Sequence, residues 1–458
     1  MAADLFYGLL PEHFLLALLV VLMFIEIIGR GGRAAGILFT IVMISGCAVL
    51  LNQLGQNYSA MIVADEIVID HFALVARLVV FACGIVYGVS CLGNNEKPKF
   101  WILLTSSLLG ASIVFVSSGF ISLFLGIELL SLPAFALIVH RAGNTNATEA
   151  ALKYLLLSAV ASAMILFGIS MTYGNVGTLV IRDFAGSLSS DNLLSVVAAI
   201  LILCGFFLKA AVFPFHGWAP DAYSGARLQV TTMLSSIVKG AVVLALVRVF
   251  GASPLNDHLV GMVAIFGIAS ILYGNLSAMS QTQFKRLLAY SSIAHAGYMV
   301  FALVDNTGHR TEDVLYYVAI YALTTIVACS CFAILDPGDN DDLDALNGAF
   351  AKRPLPAVLM ALSLLSLAGI PPLPGFLGKL MIFKSVIASG YQWPAVLAFA
   401  GSFVGVTFYL GMVARIFKPQ TEQAVAGNLT RSSWVLGGTL LGVFLLVLLA
   451  VFPGLVFI

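Results

Sequence analysis

The chain has 458 residues, of which 60% are apolar and only 10% charged, with a mean hydropathy of +1.04. A soluble domain carries roughly 25% charged residues, so two or three soluble domains are excluded and lipid must be the main solvent. Lys+Arg and Asp+Glu balance at 22 each, which excludes both a nucleic-acid binder held by bulk charge and an acidic disordered tail.

A bilayer-crossing helix needs about 20 mostly apolar residues. Windows of that size, cut at charges and Gly/Pro clusters, predict fourteen spans, near 9–29, 35–54, 71–92, 99–117, 119–140, 151–173, 191–215, 227–250, 256–279, 286–304, 314–335, 355–390, 393–417 and 432–457. The first is not read as a signal peptide, because only Asp4 and Glu12 precede or open it and no basic region does. Connections stay under twenty residues, so the whole chain reads as one all-α polytopic membrane domain. It divides into three N-terminal helices (1–98), a first repeat (99–250), a second repeat (256–418) and a C-terminal helix (432–458).

Basic loop residues set orientation. Loops after odd-numbered spans hold Arg30, Arg33, Lys97, Lys99, Arg141, Arg227, Lys285, Arg286, Lys352, Arg353, Arg415, Lys418 and Arg431; loops after even-numbered spans hold only Arg182 and Arg310. The asymmetry supports the count of fourteen and predicts both termini on the outer side of an inner (plasma) membrane.

Seven basic residues remain in or at the edges of spans: Arg77, Lys153, Lys209, Lys239, Arg248, Lys379 and Lys384. Arg248 and Lys384 lie toward span ends, where snorkelling to the interface suffices; Lys153 opens span 6 and suits either an inside anchor or an auxiliary role. Lys209, Lys239 and Lys379 lie too deep for that escape, as does the lone carboxylate Glu128, which must face protein and find a basic partner. His295 sits mid-span beside Tyr290, Ser291, Ser292 and Tyr298, where a satisfied structural histidine and a relay are equally open. A sheltered lysine can exchange its proton at modest cost, and a nearby carboxylate favours its charged form. Arginine stays charged, so lysine at three interior positions favours proton handling over fixed counter-charge.

Two spans should be broken. Span 12 carries Gly369-Ile370-Pro371-Pro372-Leu373-Pro374-Gly375, whose prolines remove backbone donors, with Lys379 just beyond. In span 7, Lys209 precedes Pro214, then His216, Trp218, Pro220 and Asp221. Broken spans five apart in order have opposite orientation, which suits two inverted five-helix repeats, spans 4–8 and 9–13, with broken helices 7 and 12 supplying the central ion site.

Six cysteines, all in apolar runs and without a CxxC, read as small buried hydrophobes. Gly375-Phe376-Leu377-Gly378-Lys379 lacks the Ser/Thr of a phosphate loop. The acidic loop from Asp336 to Asp344 fits no calcium loop and reads as solvated, with a partner contact as the alternative. With no nucleotide, metal or redox motif, the driving energy must come from an ion gradient or from a larger machine.

Four stretches carry a family resemblance: FLGIELLSLPAFALI (124–138), FFLKAAVFPFHGWAPDAYSGA (206–226), GNLSAMSQTQFKRLLAYSSIAHAGY (274–298) and LLSLAGIPPLPGFLGKLMIF (364–383). Here the chain resembles the antiporter-like proton-translocating subunit family of NADH-quinone oxidoreductase, respiratory complex I. Gly274-Asn275, the SLPAF after Glu128 and the ending at span 14 are most similar to its subunit N branch. The resemblance implies fourteen helices in two inverted repeats. It implies a proton-transfer axis of Glu128, Lys209, Lys239, His295 and Lys379, with Lys153 and His216 as possible auxiliaries. The axis would be driven by quinone reduction elsewhere in the complex. It implies no cofactor on this chain, with flavin, iron–sulfur clusters and quinone in other subunits. The partners implied are other membrane subunits, the bilayer, protons and internal water. An Mrp-type cation/proton antiporter subunit or a membrane-hydrogenase subunit would share these features. A scaffold whose buried charges only hold helices together is the third reading.

Overall fold

The computed structural model describes residues 2–29, 31–94, 96–140, 145–188, 192–336, 341–419 and 429–456. Arg30, Arg141, positions 337–340 of the acidic loop and the Arg431 side chain lie outside the described residues. Lipid selects helices because a helix satisfies its own backbone, and the described chain is helical throughout except for one hairpin. In order it runs α1 (Ala2–Gly8), α2 (Leu10–Ile28), α3 (Gly32–Gly55), β1 (Ala60–Val63), β2 (Ile67–Ile69), α4 (His71–Cys91), α5 (Pro98–Val116), α6 (Phe120–Val139) and α7 (Thr145–Val176). There follow α8 (Ile181–Ser187), α9 (Leu193–Ala210), α10 (Trp218–Gly225), α11 (Leu228–Met233), α12 (Lys239–Phe250), α13 (Asp257–Ala278), α14 (Phe284–Phe301) and α15 (Arg310–Leu335). The chain closes with α16 (Ala349–Lys352), α17 (Pro354–Ala368), α18 (Pro374–Ala388), α19 (Gln392–Ile416) and α20 (Leu429–Val451).

Thirteen helices among the described residues are long and apolar enough to cross a membrane. The remaining predicted span, the twelfth, is split: α17 and α18, 15 residues each, are both too short to cross alone. Shielding is uneven. The α11–α12 span, the α14 span and α15 are 100%, 94% and 89% buried by the rest of the chain, whereas α2 is 28% buried. The shielded three form the centre, and side chains such as Phe24, Ile27 and Trp393 cover the outside.

Both repeats open on a tightly apposed helix pair. A Cβ on Gly126 of α6 would lie 3.2 Å from the Gly110 carbonyl of α5, and one on Gly297 of α14 would lie 2.8 Å from the Gly267 carbonyl of α13. Small residues at such crossings let backbones approach, which drives helix association in lipid.

Connections after even-numbered spans gather on one face. The hairpin strand β2 bridges Ser117, Gly119 bridges Val180, and the Asn256 amide bonds the Leu188 carbonyl. Connections after odd-numbered spans gather on the other: Arg227 pairs with Glu96 at 2.9 Å, Gln283 bridges Asp342, and Arg415 pairs with Asp344 at 2.8 Å. The described part of the acidic loop thus folds back on the chain's own cations, including Lys285, 3.8 Å from Asp341.

Three features went unpredicted. The 55–70 connection forms the antiparallel hairpin β1–β2. Arg77, fully buried on α4, pairs with Glu12 of α2 at 3.1 Å, and Ser112 of α5 donates to the same carboxylate. Arg248 does not simply snorkel; its Nε donates to the Ser117 carbonyl at 2.8 Å and its Nη1 to Asp70 at 2.5 Å.

The turn before α15 is tied by Asp305, which accepts from the Thr307 amide and hydroxyl (both 2.7 Å), the His309 amide (3.1 Å) and Ser389 (2.8 Å). Burial opposes its charge, but the bonds from Thr307 and Ser389 and the nearby Arg310 cation outweigh it and hold the carboxyl below its ordinary range. A depressed carboxylate stabilises the fold above its unfolded-state pKa and loses that contribution as pH falls through its folded value. Asp305→Asn is therefore expected to cost about 1–3 kcal/mol near neutral pH. The difference should fade below about pH 4, measured as thermal unfolding of the purified complex against pH.

Candidate functional site

The first cluster forms where α6, α7 and α9 meet. Lys209, in the last turn of α9, donates to Glu128 Oε1 at 3.2 Å, Ser158 at 3.0 Å and Ser131 at 3.4 Å. Ser162 donates to the same Glu128 oxygen at 2.5 Å. The lysine side chain is 3% exposed and the carboxylate 25%. The helix stops immediately afterwards. Ala211 takes a left-handed backbone (φ 57°), and the freed Leu208 carbonyl accepts from its amide and, at 2.7 Å, from Trp218 Nε1. The Phe213 amide finds Ser270 at 2.9 Å. Thus the interruption is paired inside protein, as interrupted backbone at membrane depth requires.

The second cluster lies on the shielded centre. A π-helical turn, Leu234–Val238, joins α11 to α12 and delivers Lys239, which is 2% exposed. π turns insert one residue into the ladder and concentrate at functional positions. Lys239 Nζ donates to Ser292 of α14 at 2.7 Å and stands 5.9 Å over the Tyr223 ring of α10. One turn along α14, His295 places Nδ1 2.8 Å from the Tyr317 hydroxyl and Nε2 3.2 Å from the Tyr409 hydroxyl, which also meets Ser291. A cavity with room for about one water touches His295, Tyr317, Tyr321, Thr324 and Ser366. Thr324 Oγ1 is buried there without a hydrogen-bond partner among the described protein atoms.

The third cluster is the break between α17 and α18. Gly369, with φ 82°, ends α17; a Cβ there would sit 3.0 Å from the Lys379 amine. Lys379 reaches back to donate to the Leu367 and Ala368 carbonyls at 3.2 and 3.0 Å, which a helix end leaves without partners, and to Ser402 at 3.1 Å. It also stands 4.7 Å over the Tyr298 ring.

The structure brings Glu128 and Lys209 into direct contact and sets Lys239, His295 and Lys379 on or against α14, through Ser292 for Lys239 and the Tyr298 ring for Lys379. Of the two auxiliaries, Lys153 lies apart from this file. Lys153 is 45% exposed and pairs with Asp221 at 2.7 Å and Glu149 at 2.8 Å on the face of the odd-numbered connections. His216 lies in the α9–α10 interruption, stacked on Phe213 and 4.4 Å from Tyr273. Sequence reasoning missed Ser131, Ser158, Ser162, Tyr317, Tyr409 and Ser402. A serine stripe on α7 at 158 and 162 and a tyrosine stripe on α15 at 317 and 321 were the available signals.

A polytopic bundle with two interrupted helices and a buried file of amines around one acid defines an antiporter-like membrane subunit. Residues 117–405 match the family model described as "NADH:quinone oxidoreductase/Mrp antiporter, TM". The fold superposes on a chain of respiratory complex I from Thermus thermophilus with TM-score 0.82 and 31% identity, over 97% of this chain and 98% of that one. A chain of the Mrp complex from Dietzia gives TM-score 0.85 at 19% identity, over 98% and 96%, a likeness of fold alone. The chain is 54% identical to NADH-quinone oxidoreductase subunit N of Pelobacter propionicus over 99% of its own length and 98% of that protein's. The chain accordingly belongs to the antiporter-like, proton-translocating membrane subunits of NADH-quinone oxidoreductase, on the subunit N branch.

Proposed function

We propose that protons cross this subunit along Glu128, Lys209, Lys239, His295 and Lys379, with the hydroxyls between them and internal water completing the path. The observation that carries the proposal is the placement of Lys239 and His295 on the helices most shielded from lipid, each bonded to a hydroxyl rather than to a counter-charge. An amine or imidazole so held can pass a proton to its neighbour. Energy reaches the file from quinone reduction in other subunits, which hold the flavin, iron–sulfur clusters and quinone. The cation-rich odd-numbered connections face the inner side and both termini the outer side of the membrane, in keeping with the charge asymmetry.

In the assembled complex, Lys239→Met is expected to lower proton flux through this subunit about 100-fold, the low end for losing a positioned proton carrier. Quinone reduction measured with an uncoupler present should continue. An unchanged proton-to-electron ratio in vesicles would remove Lys239 from the path.

A further inference from the structure

We infer that Asp313 is the last buried carboxylate of a port that opens on the face bearing the even-numbered connections and joins the file at His295. This inference rests on the proton-conducting reading above. A cavity of about 320 Å³ opens on that face between the start of α15 and the end of α18, lined by Thr307, His309, Glu312, Asp313, Lys384 and Ser385. His309 and Glu312 pair at 3.4 Å and are both more than half exposed, and Lys384 is exposed too, so this rim lies on the outside of the chain. Asp313 is 5% exposed and accepts from Ser385 of α18 at 2.6 Å.

Asp313 shares one face of α15 with two tyrosines. Tyr317 follows four residues later, one turn along α15, and its hydroxyl reaches His295 Nδ1 at 2.8 Å. Tyr321, a further turn in, lies 4.8 Å from the His295 ring. Gly378 of α18 packs so closely that a Cβ would come 2.6 Å from Tyr317 Cδ2, so the Tyr317 ring lies in the contact between α15 and α18. His295 therefore has one nitrogen toward the port and the other toward Tyr409 and Ser291, beside the Ser292 that holds Lys239. A neutral imidazole accepts a proton at one nitrogen and releases one from the other. The other charged groups nearby are already committed. Arg310 donates to the Phe250 and Ser253 carbonyls and cannot release a proton, and Asp305 is occupied by the turn it ties. Of these, Asp313 is the carboxylate on α15 itself, one turn from Tyr317. A carboxylate kept at this depth is costly without a task.

The test uses the whole complex in sealed vesicles, with the proton-to-electron ratio and uncoupled quinone reduction measured for Asp313→Asn, Asp313→Glu and Lys239→Met. The expected result is that Asp313→Asn falls to the ratio of Lys239→Met, Asp313→Glu recovers it, and uncoupled quinone reduction is retained in all three. A normal ratio in Asp313→Asn beside a lowered one in Lys239→Met overturns the port and leaves the file standing. Normal ratios in both overturn port and file together. Should Asp313→Asn fail to assemble, Ala388→Cys decides, since Ala388 is exposed and also lines the cavity. Labelling it with a membrane-impermeant, positively charged thiol reagent is expected to reduce the ratio, and an unaltered ratio after full labelling overturns the port.

Discussion

A complex carrying Lys379→Met is expected to assemble and to reduce quinone when uncoupled, yet to translocate fewer protons per electron, with flux through this subunit down about 100-fold. Methionine keeps the length and packing of the side chain. It removes the only group that carries both a proton and the bonds to the Leu367 and Ala368 carbonyls. Losing those bonds costs roughly 1–3 kcal/mol per orphaned group, small enough for assembly to survive. Lys379→Arg separates the two roles. Arginine restores the donors and the charge but does not release its proton, so translocation should stay low while thermal stability returns. Recovery of translocation in the arginine variant would show that Lys379 supplies fixed charge alone.

The second large effect is expected at Glu128. Glu128→Gln keeps the shape and an oxygen that accepts from Ser162 and Lys209, but leaves the Lys209 ammonium facing neutral oxygens alone. Stranding a fully buried charge costs roughly 3–5 kcal/mol; Glu128 is a quarter exposed, so the cost should fall below that range. Because the two groups touch, their effects should not add. Glu128→Gln with Lys209→Met is expected to translocate no worse than Lys209→Met alone, by proton flux at matched electron flux. Losses that multiply would mean that the carboxylate and the amine act independently.

Much of this was legible because lipid is an unforgiving solvent. Glu128, Lys209, Lys239 and Lys379 stood out in the chain because nothing in an apolar run explains a charge except an interior neighbour. The prolines at 371, 372 and 374 announced their break for a similar reason. What binds the file together was not legible. Ser158, Ser162, Ser402 and Tyr409 are residues that membrane helices use everywhere, and only the packing of the helices decides which of them meets a lysine, Glu128 or His295. Glu12 was visible as an early charge, but its pairing with Arg77 depends on how α2 settles against α4 and α5. The hairpin and α8 were too short to signal by hydropathy. Nothing in Leu234-Ser235-Ser236-Ile237-Val238 marks a widened turn.

That widened turn sets Lys239 at a change of helical register. It holds one residue more than an α-turn, and each residue in a helix corresponds to about 100° of rotation. Were the surplus residue to migrate along the segment, the stretch it crosses would swivel by that angle as a unit. The amine would leave Ser292 without any change in the length of the span or the position of its ends. Such a hinge would let a distant push arrive as a twist about one axis, connecting and disconnecting the proton path while the surrounding bundle stays still.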